Sequence, residues 1–113
     1  MAEYIDEGTV ESVMGEIGVD TVGIRYMLDK SRFRLILVRN VRNAIANIMK
    51  QEMLSIGGDA AVNKGCINCT VEKSDVLVMG TMRQIKSLIS KMKSQVSESS
   101  KIADEMEMLI NKK

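Results

Sequence analysis

The run QEMLSIGGDAAVNKG (residues 51–65) leads from a helical pattern through paired glycines into an extended segment. Gly57 and Gly58 supply the backbone freedom with which helices commonly end. The residues that follow are small or β-branched, which favours a strand. This run therefore predicts a helix that stops at the paired glycines, and then a strand over residues 60–71 that bends at Gly65.

Upstream of this run, the pattern predicts a strand followed by the body of that helix. Residues 32–39 are rich in β formers, and Asn40 stands where it can cap a helix whose apolar stripe runs over residues 41–56. Side chains alternate along a strand. One face of this strand then holds Phe33, Leu35 and Leu37, and the other holds Arg34, Ile36 and Val38.

Downstream, a second strand and a further helix are predicted. Lys73-Ser74 forms a turn into a strand over residues 75–79, and this strand pairs with the segment before it as a hairpin. Thr81 with Gln84 three residues later forms a capping box, which marks the start of a helix. The buried stripe of that helix is Met82, Ile85, Leu88, Ile89 and Met92.

The two ends of the chain are less regular. Residues 9–17 predict a short amphipathic helix that stops at Gly18. Residues 21–27 are β-branched and partly alternating, which predicts a short strand or extended chain. Helical spacing resumes near the C-terminus, so residues 97–113 either continue the preceding helix or form a separate one.

These elements predict an α/β (α+β) fold in the order α-β-α-β-β-α plus a C-terminal helix. We expect a two-layer sandwich in which helices cover one face of a small mixed sheet. A ferredoxin-like strand order is an alternative arrangement of the same elements. Residues 1–96 form a single domain and residues 97–113 a helical tail. Ile36 and Val38 are expected on the uncovered face, where a second copy is the simplest cover, so we expect a homodimer.

Composition narrows the range of partners. The chain has 113 residues with 16 Lys and Arg against 15 Asp and Glu, a balance too even to attract nucleic acid or an anionic membrane. Clustered basic residues over 32–42 and 83–93 keep a small nucleic-acid-binding protein as an alternative. No apolar run approaches the roughly 20 residues of a membrane-spanning helix. Since the N-terminus lacks signal-peptide features and two cysteines make no disulfide framework, we expect a cytoplasmic protein.

Polar and small residues beside the predicted turns form a candidate ligand-binding group. Its members are Gly57, Gly58, Asp59, Asn63, Lys64, Gly80 and Thr81. Neither glycine site matches a phosphate-loop fingerprint, so a helix stop and a helix cap are the favoured roles. The sequence has no His and no nucleophile beside an evident base. No catalytic residue is therefore nominated, no cofactor is expected, and enzymatic activity stays uncertain.

Cys66 and Cys69 have the spacing of a redox or zinc pair. A structural zinc site needs about four ligands, so one chain without His could complete it only with carboxylates. Two copies could supply the thiolates together across a dimer. In the predicted strand the two side chains point to opposite faces, so two unrelated core residues are the favoured interpretation.

Two runs, NIMKQEMLSIGGDAAV (residues 47–62) and SDVLVMGT (residues 74–81), resemble the region that precedes the barrel in some bacterial and archaeal dihydropteroate synthases. IGVD (residues 17–20) and Gly23-Ile24 are similar too, so that the resemblance covers roughly residues 15–93. In that family a separate (β/α)₈ barrel condenses a pterin diphosphate with a p-aminobenzoate-type substrate. The barrel is absent here, and its pterin loop needs proline, which this sequence lacks.

The resemblance implies a stand-alone accessory or binding module related to dihydropteroate synthase. We expect it to serve pterin (folate or methanopterin) one-carbon metabolism without being catalytic by itself, and to meet a pterin-binding barrel protein. The alternatives are a small nucleic-acid-binding protein and a partner-dependent subunit of a dihydropteroate synthase or of a pterin or corrinoid methyltransferase.

Overall fold

A computed structural model describes residues 1–112 of the chain, so that Lys113 of the predicted tail lies outside the described residues. In chain order the elements are a 3₁₀ turn at Glu7–Thr9, α1 (Val10–Ile17), α2 (Thr21–Ser31), β1 (Phe33–Arg42), α3 (Asn43–Ser55), β2 (Asp59–Ala61), β3 (Lys73–Thr81), α4 (Met82–Lys93) and α5 (Ser97–Ile110). The predicted α+β fold is confirmed. Among residues 1–112, no helix combines the length and the apolar character needed to cross a bilayer.

The sheet has three strands in the order β1-β3-β2, and every neighbouring pair is antiparallel, whereas the sequence predicted a mixed sheet. β3 is central, and its Val78 lies opposite Ile36 of β1 and Ala60 of β2. The predicted pairing of the last two strands is confirmed, but the turn predicted at Lys73-Ser74 is wrong, because both residues belong to β3. β1 and β3 pair directly, although α3 and β2 lie between them in sequence.

β1 is longer than predicted because it continues past a bulge. The register with β3 shifts between Val38 and Val41, and Asn40 lies there with a left-handed φ of 54°. Asn tolerates this conformation better than most residues. The backbone N–H of Asn40 donates to the Asp75 carboxylate at 3.0 Å. The prediction that Asn40 caps the helix was therefore wrong, and α3 begins at Asn43.

Helices α3, α4 and α5 supply the other half of the core. The largest fully buried side chains on them are Ile45, Met49, Met53, Ile85, Leu88, Met92 and Met106. The capping box is present, because the Thr81 side chain accepts from the Gln84 N–H and the Gln84 side chain accepts from the Thr81 N–H. α5 is a separate helix that packs against α4, so its Ala103 is buried in the same core as the sheet.

The segment predicted as a short strand over residues 21–27 is the helix α2. Asp20 caps its start by accepting a hydrogen bond from the Gly23 N–H. Ile24 and Leu28 recur at the helical spacing of four and are half-buried. The cap and this apolar stripe outweigh the β preference of the residues in the first turn, which is why the strand prediction was wrong.

The strand predicted over residues 60–71 is also shorter in the structure, because β2 ends at Ala61. Residues 63–70 form a compact turn, which we call the cysteine turn. The Asn63 side chain accepts from the Gly65 N–H at 2.8 Å. On the helix side, Asn47 of α3 donates from Nδ2 to the Cys66 carbonyl at 2.9 Å. These amide contacts replace sheet pairing, and short-range propensity does not reveal them.

The uncovered side of the sheet is opposite to the one predicted. Ile36 and Val38 are buried beneath the helices. Phe33, Leu35 and Leu37 point away from the helices and are 56%, 65% and 49% exposed. Both faces of β1 are apolar, so alternation alone could not tell which one is covered. We call the uncovered side, formed by Phe33, Leu35, Leu37, Leu77 and Met79, the open face.

Candidate functional site

The open face is a continuous apolar surface that spans β1 and β3. Leu35 lies opposite Met79, and Leu37 lies opposite Leu77. Residues directly opposite on antiparallel strands share a face and touch. The three exposed side chains of β1 alone present roughly 300 Å² of apolar surface, which reaches the size of the largest apolar patch on a typical monomer, a patch that is often functional.

The charged groups beside the apolar rows of the open face are paired within the chain. Beyond the apolar rows, Arg39 and Asp75 form an ion pair with an N–O distance of 3.4 Å. Asp59 of β2 lies opposite Met79, and Lys50 donates to its carboxylate at 3.0 Å. This hydrogen bond is the largest cause that lowers the pKa of Asp59. Asp59 is therefore ionised at neutral pH, and its charge is offset by Lys50.

The glycines of the predicted ligand group allow close packing. Gly57 adopts a left-handed φ of 89° just after α3, as its predicted role in stopping the helix requires. A Cβ added to Gly58 would lie 2.6 Å from Met53 Cε and 3.0 Å from the Met79 carbonyl oxygen. A Cβ on Gly80 would lie 2.7 Å from the same Cε. The glycines thus let α3 approach β3.

The other members of that group also make internal contacts. Asp59 accepts from Lys50 and from the Ala60 N–H. Asn63 shapes the cysteine turn, and Thr81 caps α4. Lys64 is exposed on the cysteine turn. The polar groups of Asp59, Asn63 and Thr81 are engaged in holding the fold, which supports the structural interpretation of these three residues over a shared ligand site.

Gly58→Ala is expected to lower the free energy of unfolding by about 1–3 kcal/mol, the usual cost of overpacking. The new methyl group would press on the Met79 carbonyl, which is backbone and cannot rotate away. Chemical denaturation measures the change. Gly15→Ala is the control, because a Cβ there has no atom within 4 Å and the residue lies in α1. Equal stability of the Gly58 variant and wild type would contradict the packing role.

The two cysteines do not lie in a strand. Cys66 is buried in the core and Cys69 is exposed, and both are free thiols. Within residues 1–112, no group of three or more His, Cys, Asp or Glu side chains is placed to hold a metal ion. The predicted site across a dimer would require the Cys66 sulfur to leave the core.

Sequence reasoning named the residues of the open face only as one side of a strand. Alternation gave no signal for the covered side, because each row of β1 contains an arginine. Arg34 is in line with Ile36 and Val38, and Arg39 is in line with Leu35 and Leu37. In comparisons with known proteins, no family model, no curated protein and no solved structure matches this chain.

Proposed function

We propose that this chain is a non-catalytic assembly module whose open face binds the open face of a second copy to form a homodimer. The observation that carries the proposal is the exposure of Phe33, Leu35 and Leu37 on a sheet whose other face is covered by helices. Removing apolar surface from water contributes about 25 cal/mol per Å². Covering this face therefore favours association.

The charges of the open face favour a second copy as the partner. In a two-fold dimer the same surface meets itself, so that a face with a single sign of charge would repel its twin. Here Arg39 is paired with Asp75, and Asp59 is paired with Lys50. These two pairs balance the charge beside the apolar rows, while Lys73 is an exposed cation at the far end of β3 on the same side. A copy of the chain can therefore approach the apolar rows without a charge penalty.

The size of the face predicts a dimer of modest affinity. At the usual strand spacing and rise, β1 and β3 present a face about 10 Å wide and about 25 Å long, which widens to about 15 Å beside the three residues of β2. Two such faces bury at most roughly 750 Å² in total, below the size of most specific interfaces and in the range of weak contacts. After the cost of association, a dissociation constant of about 1 μM is expected.

The proposed pathway rests on the resemblance to the pre-barrel region of dihydropteroate synthases. The residues that carry it fall in α3, β2, β3 and the loops that join them. We place the module in pterin (folate or methanopterin) one-carbon metabolism, in the cytoplasm, with a pterin-binding barrel protein as its partner. The free thiols support that location. A subunit that becomes active only with such a barrel is the alternative.

The nucleic-acid alternative loses support from the ion pairs. Six of the eight basic residues that suggested it bridge to carboxylates, in the pairs Arg34–Glu7, Arg39–Asp75, Arg42–Glu98, Lys86–Asp29, Lys91–Glu52 and Lys93–Glu107. A phosphate backbone binds through basic groups that are free to replace counterions. Pairing of these groups with carboxylates favours a protein partner.

Native mass spectrometry and analytical ultracentrifugation test the proposal together. We expect a homodimer that dissociates upon dilution through the micromolar range. A protein that stays monomeric at about 100-fold above that range would overturn the dimer. A high 260-to-280 nm absorbance ratio that is lost in high salt would instead favour nucleic acid.

Purification from the native host tests the pterin link separately. A retained pterin or a co-purifying barrel protein would support it. Turnover of pterin diphosphate that appears only when a barrel subunit is added would support the partner-dependent enzyme. If neither a retained pterin nor a barrel partner is found, and no barrel gains activity, the link to this pathway is rejected while the dimer stands.

A further inference from the structure

The cysteine turn ends in the same way as two helices of the chain. After α1 and after α3 a glycine takes the left-handed conformation, with φ of 93° at Gly18 and 89° at Gly57. At the equivalent position of the cysteine turn stands Cys69, with φ of 58°. This conformation is unfavourable for a residue that carries a Cβ. Backbone geometry alone would therefore favour glycine at position 69.

Hydrogen bonds in the turn bring the two cysteines close together. The Thr70 N–H donates to the Gly65 carbonyl at 2.9 Å, and the Cys69 N–H donates to the Cys66 carbonyl at 3.4 Å. The second bond closes a four-residue turn, in which the first and last Cα atoms lie within about 7 Å. Disulfides span Cα separations of about 4.4–6.8 Å. The turn thus places the two Cα atoms within the separation that a disulfide spans, which the predicted strand would have prevented.

The two thiols differ in their access to solvent. Cys69 is exposed, whereas Cys66 is completely buried among the core residues. The Asn47 amide donates to the Cys66 carbonyl and ties its backbone to α3. An exposed thiol reacts with reagents in solution, and a buried one is protected from them. This asymmetry suits a pair in which one cysteine reacts first and the other resolves the product.

We propose that Cys66 and Cys69 are a thiol pair that forms a reversible disulfide by exchange with a low-molecular-weight disulfide. The Cys69 thiolate attacks one sulfur of the reagent, forms a mixed disulfide and releases one thiolate. The Cys66 thiolate then attacks the Cys69 sulfur and releases the second. The protein loses two protons and two electrons, and the reagent is reduced to two thiols. Because Cys66 must leave the core, the second step limits the rate.

Incubation of the full chain with glutathione disulfide tests the pair, with intact mass measured after alkylation. We expect a product that is lighter than the reduced chain by two hydrogens, carries no glutathione and resists alkylation at both positions. Cys66→Ala is expected to keep one glutathione on Cys69. Cys69→Gly fits the left-handed position and leaves Cys66 alone, which is expected to react about tenfold or more slowly.

The same measurement can overturn the proposal. A wild-type chain that keeps glutathione on Cys69 as its final product has no resolving cysteine, and a chain with both thiols still open to alkylation has no reactive pair. Circular dichroism shows whether the Cys66 variant is folded. If the Cys66 variant is unfolded, the comparison of wild type with Cys69→Gly still tests the proposal. Wild type must lose two hydrogens, and Cys69→Gly must not.

Discussion

Leu35→Arg is expected to convert the homodimer into a monomer, with the dissociation constant raised by about 100-fold or more. Leu35 is 65% exposed and lies opposite Met79, in the middle of the open face. In a two-fold dimer two guanidinium groups would enter the same apolar interface, where each loses its hydration without gaining a carboxylate. Sedimentation velocity over a concentration series measures the change.

The matched control is Leu54→Arg, the same substitution at an exposed leucine of α3. Leu54 is 46% exposed and belongs to the helical layer. We expect this variant to dimerise like wild type. If Leu35→Arg stays dimeric, or if both variants lose the dimer equally, the open face is not the interface. Circular dichroism should show the same fold in both variants, because each side chain is largely exposed in the monomer.

The sequence predicts those elements whose cause is local. The capping box of Thr81 and Gln84 and the left-handed stop at Gly57 are set by neighbouring residues, and both lie where the pattern predicts them. Period-two and helical spacing likewise located β1, β3 and α4. These features need no information from distant parts of the chain.

The elements that were mispredicted depend on distant partners. The cysteine turn is held by the Asn47 amide, 19 residues before Cys66. The bulge in β1 is stabilised by Asp75, 35 residues after Asn40. Alternation along β1 shows two apolar faces but not which one the helices cover, since that depends on how β3 pairs with it. Tertiary contacts of this kind override local propensity.

In the candidate sites too, the sequence predicts local features, whereas distant contacts decide the rest. Sequence spacing identified Cys66 and Cys69 as a pair, but only the turn brings their Cα atoms within the separation that disulfides span, because a strand would separate the side chains onto opposite faces. The glycines at positions 58 and 80 suggested a ligand loop, whereas the structure shows Met53 packed against both. Residue type alone does not distinguish a glycine that binds a ligand from one that admits a neighbouring side chain.

Leu88→Ala is expected to lower the free energy of unfolding by about 2–5 kcal/mol, the range measured for buried leucines. Leu88 is fully buried in α4, which packs against the sheet, α3 and α5. Because it contacts the centre of the core, the neighbouring elements cannot all move in to fill the cavity. A domain of this size has a total stability of about 5–15 kcal/mol, so the variant loses a large part of it.

Ser90→Ala provides the control, since Ser90 is exposed on the same helix and its loss is expected to change stability by less than about 0.5 kcal/mol. Urea denaturation followed by circular dichroism compares the variants. All proteins are measured at one concentration, because dimerisation through the open face adds stability that depends on concentration.

Leu88 lies on the helical side of the sheet, so Leu88→Ala should keep the dimer affinity while it lowers the stability of each subunit. A Leu88→Ala variant as stable as Ser90→Ala would show that α4 does not close the core.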